Sequence, residues 1–217
     1  MIRRVLLAVS LSLAGASISL PASAEAVPFD NAWKKQGFSL FSSNRYSYGG
    51  TVMGVSSDGS VSLTYRSLPQ SAWDARSARW SWAVAQGVRP TDLTRKGGDD
   101  RNLALYFVFL PETQVSQASR SITRLLRNDE VRVLAYVWGG NHARGSVLPS
   151  PYMGSRGKTI VLRGAGEGRA EERVDLAADF ARAFGGTPGA LVGVAVSADS
   201  DDTDGMIRAE LRGLRVE

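Results

Sequence analysis

Two clusters of carboxylates are the residues best equipped for chemistry. Asp99-Asp100 closes a glycine turn ahead of an apolar run, and Asp199, Asp201, Asp202 and Asp204 lie in the stretch Asp-Ser-Asp-Asp-Thr-Asp-Gly. The chain has no Cys and one His, so carboxylates are its main resource for metal or acid/base work. Carboxylates at alternate positions of a tight turn converge oxygens on one point, which suits Ca²⁺ and its roughly six to eight oxygen ligands. Asp202-Thr-Asp204-Gly205 fits the centre of an EF-hand loop. The twelfth position would fall on Leu211, where a bidentate Glu is needed, so this is no EF-hand. A second assignment stays open: Asp and Gly chosen for turn geometry, with the carboxylates in water. For Asp99 and Asp100, strand alternation allows at most one to face a core or a site.

Other candidates are aromatic. Trp80 and Trp82 share one strand face with Cα atoms about 7 Å apart, and Tyr136 and Trp138 form a second such pair. Such pairs stack on successive sugar rings or fill a core; both remain open. His142 lies in Gly-Gly-Asn-His-Ala-Arg-Gly, either as a ligand-binding or general-base residue or as an exposed loop side chain. A lone His excludes multi-His zinc sites. Gly157-Lys158-Thr159 lacks the first glycine of a P-loop, and no Gly-x-Ser-x-Gly elbow occurs.

The elements that must hold these residues read mainly as strands. Val61, Leu63 and Tyr65 alternate with Ser62, Thr64 and Arg66; Trp80, Trp82 and Val84 alternate with small residues. Leu103–Leu110 is apolar on both faces, as a central strand would be. Further strands are expected at 38–43, 131–138, 159–162, 191–196 and 207–216, with a bulge at Gly213 switching the phase of the last. Helices are expected at 113–127 and 175–184. Asp175 opens the second and Gly185-Gly186 closes it. Many short strands with few helices predict an antiparallel β-sandwich of jelly-roll type.

Met1-Ile-Arg-Arg, the apolar stretch Val5–Leu20 and Ala22-Ser-Ala24 form a secretory signal pattern. Residues 1–24 are therefore expected to be removed, leaving one domain, 25–217, exported to the periplasm or beyond. No other segment is apolar enough to span a membrane. Without Arg3 and Arg4 the formal charge falls from +5 to +3. No run of five like charges marks a nucleic-acid or membrane footprint.

The ordered series Trp80-Ser-Trp82, Lys96-Gly-Gly-Asp99-Asp100, Leu134-Ala-Tyr136-Val-Trp138, Glu172-Arg173-Val-Asp175, Asp179 to Phe184-Gly185 and Val194-Ala-Val-Ser-Ala-Asp199-Ser-Asp201 resembles an uncharacterised family of exported bacterial proteins, domain of unknown function 3047. The resemblance spans about residues 30–217. It implies a galactose-binding-like sandwich related to carbohydrate-binding modules, and no activity. The chain departs from the family at Gly168-Arg-Ala, where a tryptophan is usual, and in the helix around 115–127. Three functions follow from residues and resemblance together. The first is a binding module for a glycan or other envelope component, with Ca²⁺ as a candidate cofactor. The second is a hydrolase with paired carboxylates, Asp100 foremost. The third is a structural protein of the envelope.

Overall fold

The structure is a computed structural model that describes residues 24–38, 43–115, 125 and 127–217. The expected signal segment lies outside these residues but for Ala24. In chain order the strands are β1 (Glu25–Ala26), β2 (Lys34–Gly37), β3 (Arg45–Tyr48), β4 (Val52–Asp58), β5 (Val61–Ser67), β6 (Ser77–Gln86), β7 (Arg101–Leu110), β8 (Arg132–Trp138), β9 (Val147–Ser150), β10 (Gly154–Arg163) and β11 (Gly168–Asp175). Helix α1 (Leu176–Phe184) precedes β12 (Ala190–Asp199) and β13 (Met206–Val216). No helix among the described residues is long and apolar enough to cross a membrane.

The strands form two facing sheets, the expected mainly β sandwich, with α1 as the one complete helix among the described residues. One sheet runs β2-β5-β12-β7-β8-β10-β9, and the other β11-β6-β13-β4-β3, with β1 added to the end of β13. Pairing is antiparallel except between β8 and β10. The bulge expected at Gly213 is present. Its φ is 61°, its N–H donates to Thr51 O, and the β13–β6 register shifts between Arg212 and Arg215. Beyond it β1 takes the place of β4 beside β13.

Period-two burial explains the core. Trp80, Trp82 and Val84 point inward from β6, against Leu103, Leu105, Phe107, Leu134, Tyr136 and Trp138 of the other sheet. Strand β7 sits between β12 and β8 as the central strand its sequence predicts. Its outer side is roofed as well: Val108 and Leu110 pack with Val115, Leu125 and Val131, and Ala104 packs with Leu93. That second roof is why β7 and β12 are apolar on both faces.

The faces of β5 are the reverse of what its apolar alternation suggests. Ser62 and Thr64 are fully buried, while Val61, Leu63 and Tyr65 are half-exposed. The buried hydroxyls have partners: Ser62 Oγ accepts from Asn44 N–H, and Thr64 Oγ1 lies 2.8 Å from Tyr48 OH. Tyr65 meanwhile packs on the outer roof. Helix α1 forms as expected. The Asp175 carboxylate accepts from Ala178 N–H at 2.9 Å, Gly185 ends it, and Phe180 packs on Phe109. The expected helix 113–127 lies mostly outside the described residues; Glu112–Gln114 forms one 3₁₀ turn. The expected strand 38–43 lies outside the described residues except for Phe38, which is exposed, and Ser43.

Candidate functional site

The two acidic clusters meet at one end of the sandwich. Asp99-Asp100 leads into β7, and Asp199 ends the neighbouring β12 opposite Arg101. Asp100 caps the turn between β12 and β13. Its Oδ2 accepts from Thr203 N–H at 2.7 Å and from the Thr203 hydroxyl at 2.5 Å, and its Oδ1 accepts from Asp202 N–H at 3.3 Å. Arg101 Nη1 bridges Asp99 Oδ2 at 2.9 Å and Asp199 Oδ2 at 3.0 Å. Its Nη2 donates to Tyr106 OH, which lies 2.9 Å from Ser197 Oγ. Tyr152 OH closes the group by donating to Asp99 Oδ1 at 2.8 Å, with Lys96 over its ring.

Asp99 and Asp100 bind different partners, Arg101 and Tyr152 for the first and Thr203 for the second, and both are buried, at 3% and 0% exposure. Burial pushes the Asp199 carboxyl up to about 8, against the pull of Arg101; its contact with Asp201 and the charge of Asp100 push it further. Partial burial, then Asp100 and Asp201, raise Asp202. Carboxylate oxygens of Asp100, Asp201 and Asp202 lie within 4.8 Å of one another. Asp204 stands apart with φ 49°, its Oδ1 2.7 Å from where a Cβ on Gly59 would be. The hydrolytic role expected for Asp100 does not fit: a fully buried carboxylate engaged by Thr203 cannot touch a substrate.

The aromatic candidates form no sugar platform. Trp80, Trp82, Tyr136 and Trp138 are at most 4% exposed. They interlock edge-to-face in the core, with Trp80–Trp82 centroids 5.4 Å apart and Trp82–Trp138 centroids 5.6 Å apart. Three polar ends bind protein: Trp82 Nε1 donates to Glu172, Trp138 Nε1 to Gly166 O and Tyr136 OH to Asp179, while Trp80 Nε1 is buried without a partner. His142 is not an open loop residue either. Its Nε2 lies 3.4 Å from Asp92 Oδ1, and its Nδ1 is buried without a partner.

Two polar centres were not singled out from the sequence. Buried Glu172 accepts from Trp82 Nε1 at 3.2 Å and from Arg163 Nε at 2.8 Å. Its place on β11 beside Trp80 was hidden because 168–175 does not read as a strand. Asn44 bonds Ser57, Ser60, Ser62 and Ala198, and thereby ties the β4–β5 turn to the end of β12. Asn44 directly follows the expected strand 38–43, and nothing local marks it as buried.

A concave groove of about 580 Å³ crosses the outer face of the six-stranded sheet. That volume lies within the roughly 300–1,000 Å³ of ligand clefts. Small residues leave the trough open: Ser47, Gly54, Ser56, Ala83 and Ala85 line it. Gly54 faces Glu210 across β4–β13, and Ala83 faces it across β13–β6. Arg45, Arg169, Arg208, Glu167 and Glu210 form the charged lining. Glu210 is held by Arg212. The three lining arginines make no ion pair or hydrogen bond among the described residues.

Fold and site thus define a two-sheet β-sandwich with a buried acidic end and an arginine-lined outer groove. The chain belongs to the family described as protein of unknown function (DUF3047), whose profile matches residues 31–215. No curated protein matches it in sequence. Solved structures resemble it distantly, at low identity. The xyloglucanase domain of NopAA, a type three effector from Sinorhizobium fredii, has TM-score 0.46 and 10% identity, covering 93% of this chain and 99% of that one. The family 11 xylanase from Neocallimastix patriciarum has TM-score 0.44 and 12% identity, covering 90% and 99%. A cellulase derived from Cel12A of Rhodothermus marinus has TM-score 0.47 and 12% identity, covering 90% and 100%. These likenesses concern the fold alone.

Proposed function

We propose that the protein is an exported binding module whose six-stranded face takes a strand of anionic glycan. The observation that carries this reading is the open groove with Arg45, Arg169 and Arg208 around a floor of small residues. Unpaired guanidinium groups are charged forks that match carboxylate geometry. Ser47 and Ser56 add hydroxyls for sugar oxygens. An open trough crossing several strands suits a chain laid along it better than a small molecule enclosed on all sides. The N-terminal signal pattern supports export, which would bring the domain to envelope polysaccharide.

The test is calorimetry with an oligogalacturonate and a cello-oligosaccharide of equal length. The acidic ligand is expected to bind, and to weaken with added salt. Replacing Arg45 or Arg208 with Ala should weaken it about tenfold each. Equal binding of the neutral ligand, binding of neither, or arginine variants that bind like the wild type would refute the reading. A hydrolytic alternative draws on Glu167 and Glu210, which line the same groove. New reducing ends released by the wild type and not by Glu210→Gln would move the assignment from binding to hydrolysis.

A further inference from the structure

We propose that Asp100, Asp201 and Asp202, with the buried Asp199 carboxyl beside them, bind one divalent cation of the hard, oxygen-preferring class, with Ca²⁺ as the best fit. The site is independent of the glycan groove. It lies at the end of the sandwich where β12 turns into β13, whereas the groove lies on the outer face of the six-stranded sheet.

The first observation is spacing. Oxygens of Asp100, Asp201 and Asp202 lie within 4.8 Å of one another. A Ca²⁺ ion with ligands at about 2.3–2.6 Å holds its oxygens no more than about 5 Å apart. A purely solvated turn would let the carboxylates spread into water. Here Asp100 is fully buried and fixed by Thr203.

The second observation is an orphan. Asp199 is 5% exposed, and its Oδ1 has no hydrogen-bond partner. Its Oδ2 is occupied by Arg101, and its carboxyl lies against that of Asp201. A buried carboxylate oxygen without a donor is costly, and this carboxyl contacts Asp201, a member of the three-oxygen cluster. A cation supplies the missing partner.

Charge points the same way. Arg101 is shared between Asp99 and Asp199, and the Lys96 ammonium stands over the Tyr152 ring. Asp100, Asp201 and Asp202 have no ion pair among the described residues. The donor set is all oxygen, with neither Cys nor His, which selects Ca²⁺ or Mg²⁺ over softer metals. Carboxylates drawn from two separate segments, the lead into β7 and the β12–β13 turn, suit the larger and more tolerant Ca²⁺. Asp201 and Asp202 are exposed, so the ion has an entry path and water completes its shell. Once bound, it clamps the start of β7 to the turn that joins the two sheets.

The experiment is thermal unfolding of EDTA-treated protein, returned to chelator-free buffer without saccharide and titrated with CaCl₂ at constant ionic strength. The midpoint is expected to rise by about 5 °C as the site saturates in the millimolar range or below. Asp201→Asn and Asp202→Asn change exposed groups, so both should fold and unfold like the calcium-free wild type while losing the rise. A wild-type midpoint unmoved up to about 10 mM Ca²⁺ would overturn the proposal. So would a rise of equal size in the Asp201→Asn, Asp202→Asn double variant. Neither outcome bears on the arginine groove, since no glycan is present.

Discussion

Arg101→Met is expected to destabilise the protein by about 3–5 kcal/mol, the loss seen when one partner of a buried ion pair is removed. Arg101 is the shared cation of Asp99 and Asp199, whose side chains are only 4% and 6% exposed. Methionine keeps much of the volume and removes every donor. Buried Asp99 then loses its counter-charge, Asp199 Oδ2 loses its donor, and Tyr106 OH loses the Nη2 hydrogen bond. For a domain of this size the midpoint should fall by about 10 °C or more in a thermal melt. Arg101→Lys should recover part of the loss, because an ammonium on a shorter reach lacks the planar fork that spans Asp99, Asp199 and Tyr106 together. A loss below about 1 kcal/mol for the Met variant, the size of a surface pair, would show that the triad is not desolvated.

Asn44→Leu should cost about 3 kcal/mol, summed over the buried partners it strands. Asn44 is 2% exposed. Its amide donates to Ala198 O at 2.7 Å and to Ser62 O at 3.1 Å, while its carbonyl accepts from Ser57 and Ser60 at 2.8 Å each. Leucine has similar bulk and satisfies none of them. Ser57→Ala removes a single hydroxyl from the same network and should cost about 1 kcal/mol. Urea unfolding at constant slope gives both values. Equal losses for the two variants would mean that Asn44 acts through packing rather than through its hydrogen bonds.

The sandwich was legible because its core strands obey a simple period. Trp80, Trp82 and Val84 alternate with small residues, and that stripe became the inward face of β6. The bulge at Gly213 was legible for the same reason, as a change of phase along β13. Strand β5 shows where the rule stops. Apolar alternation marks the face with more apolar area, but an inward face can be polar when a distant residue such as Asn44 satisfies it. That partner is a tertiary fact no local pattern carries. Strand β7 is apolar on both faces in the sequence, and both faces are covered in the structure.

The site was legible in its parts and not in its assembly. Asp99-Asp100 and Asp199–Asp204 stand about a hundred residues apart, and only the pairing of β7 with β12 joins them. Arg101, which makes their burial tolerable, follows Asp100 directly but reads as an ordinary strand residue. Core-forming and ligand-stacking aromatics have the same spacing, so burial alone separated them. The groove was invisible in the sequence. Arg45, Arg169 and Arg208 converge only because β3, β11 and β13 share a sheet, and small residues at Gly54 and Ala83 carry no pattern of their own.

The most direct test of the glycan-binding account is amide chemical-shift mapping of the labelled protein with an oligogalacturonate. Shifts should concentrate at Ser47, Gly54, Ser56, Ala83, Ala85, Arg169 and Arg208, leaving 99–101 and 199–204 unmoved. Shifts confined to the acidic end, or none anywhere at saturating ligand, would contradict it.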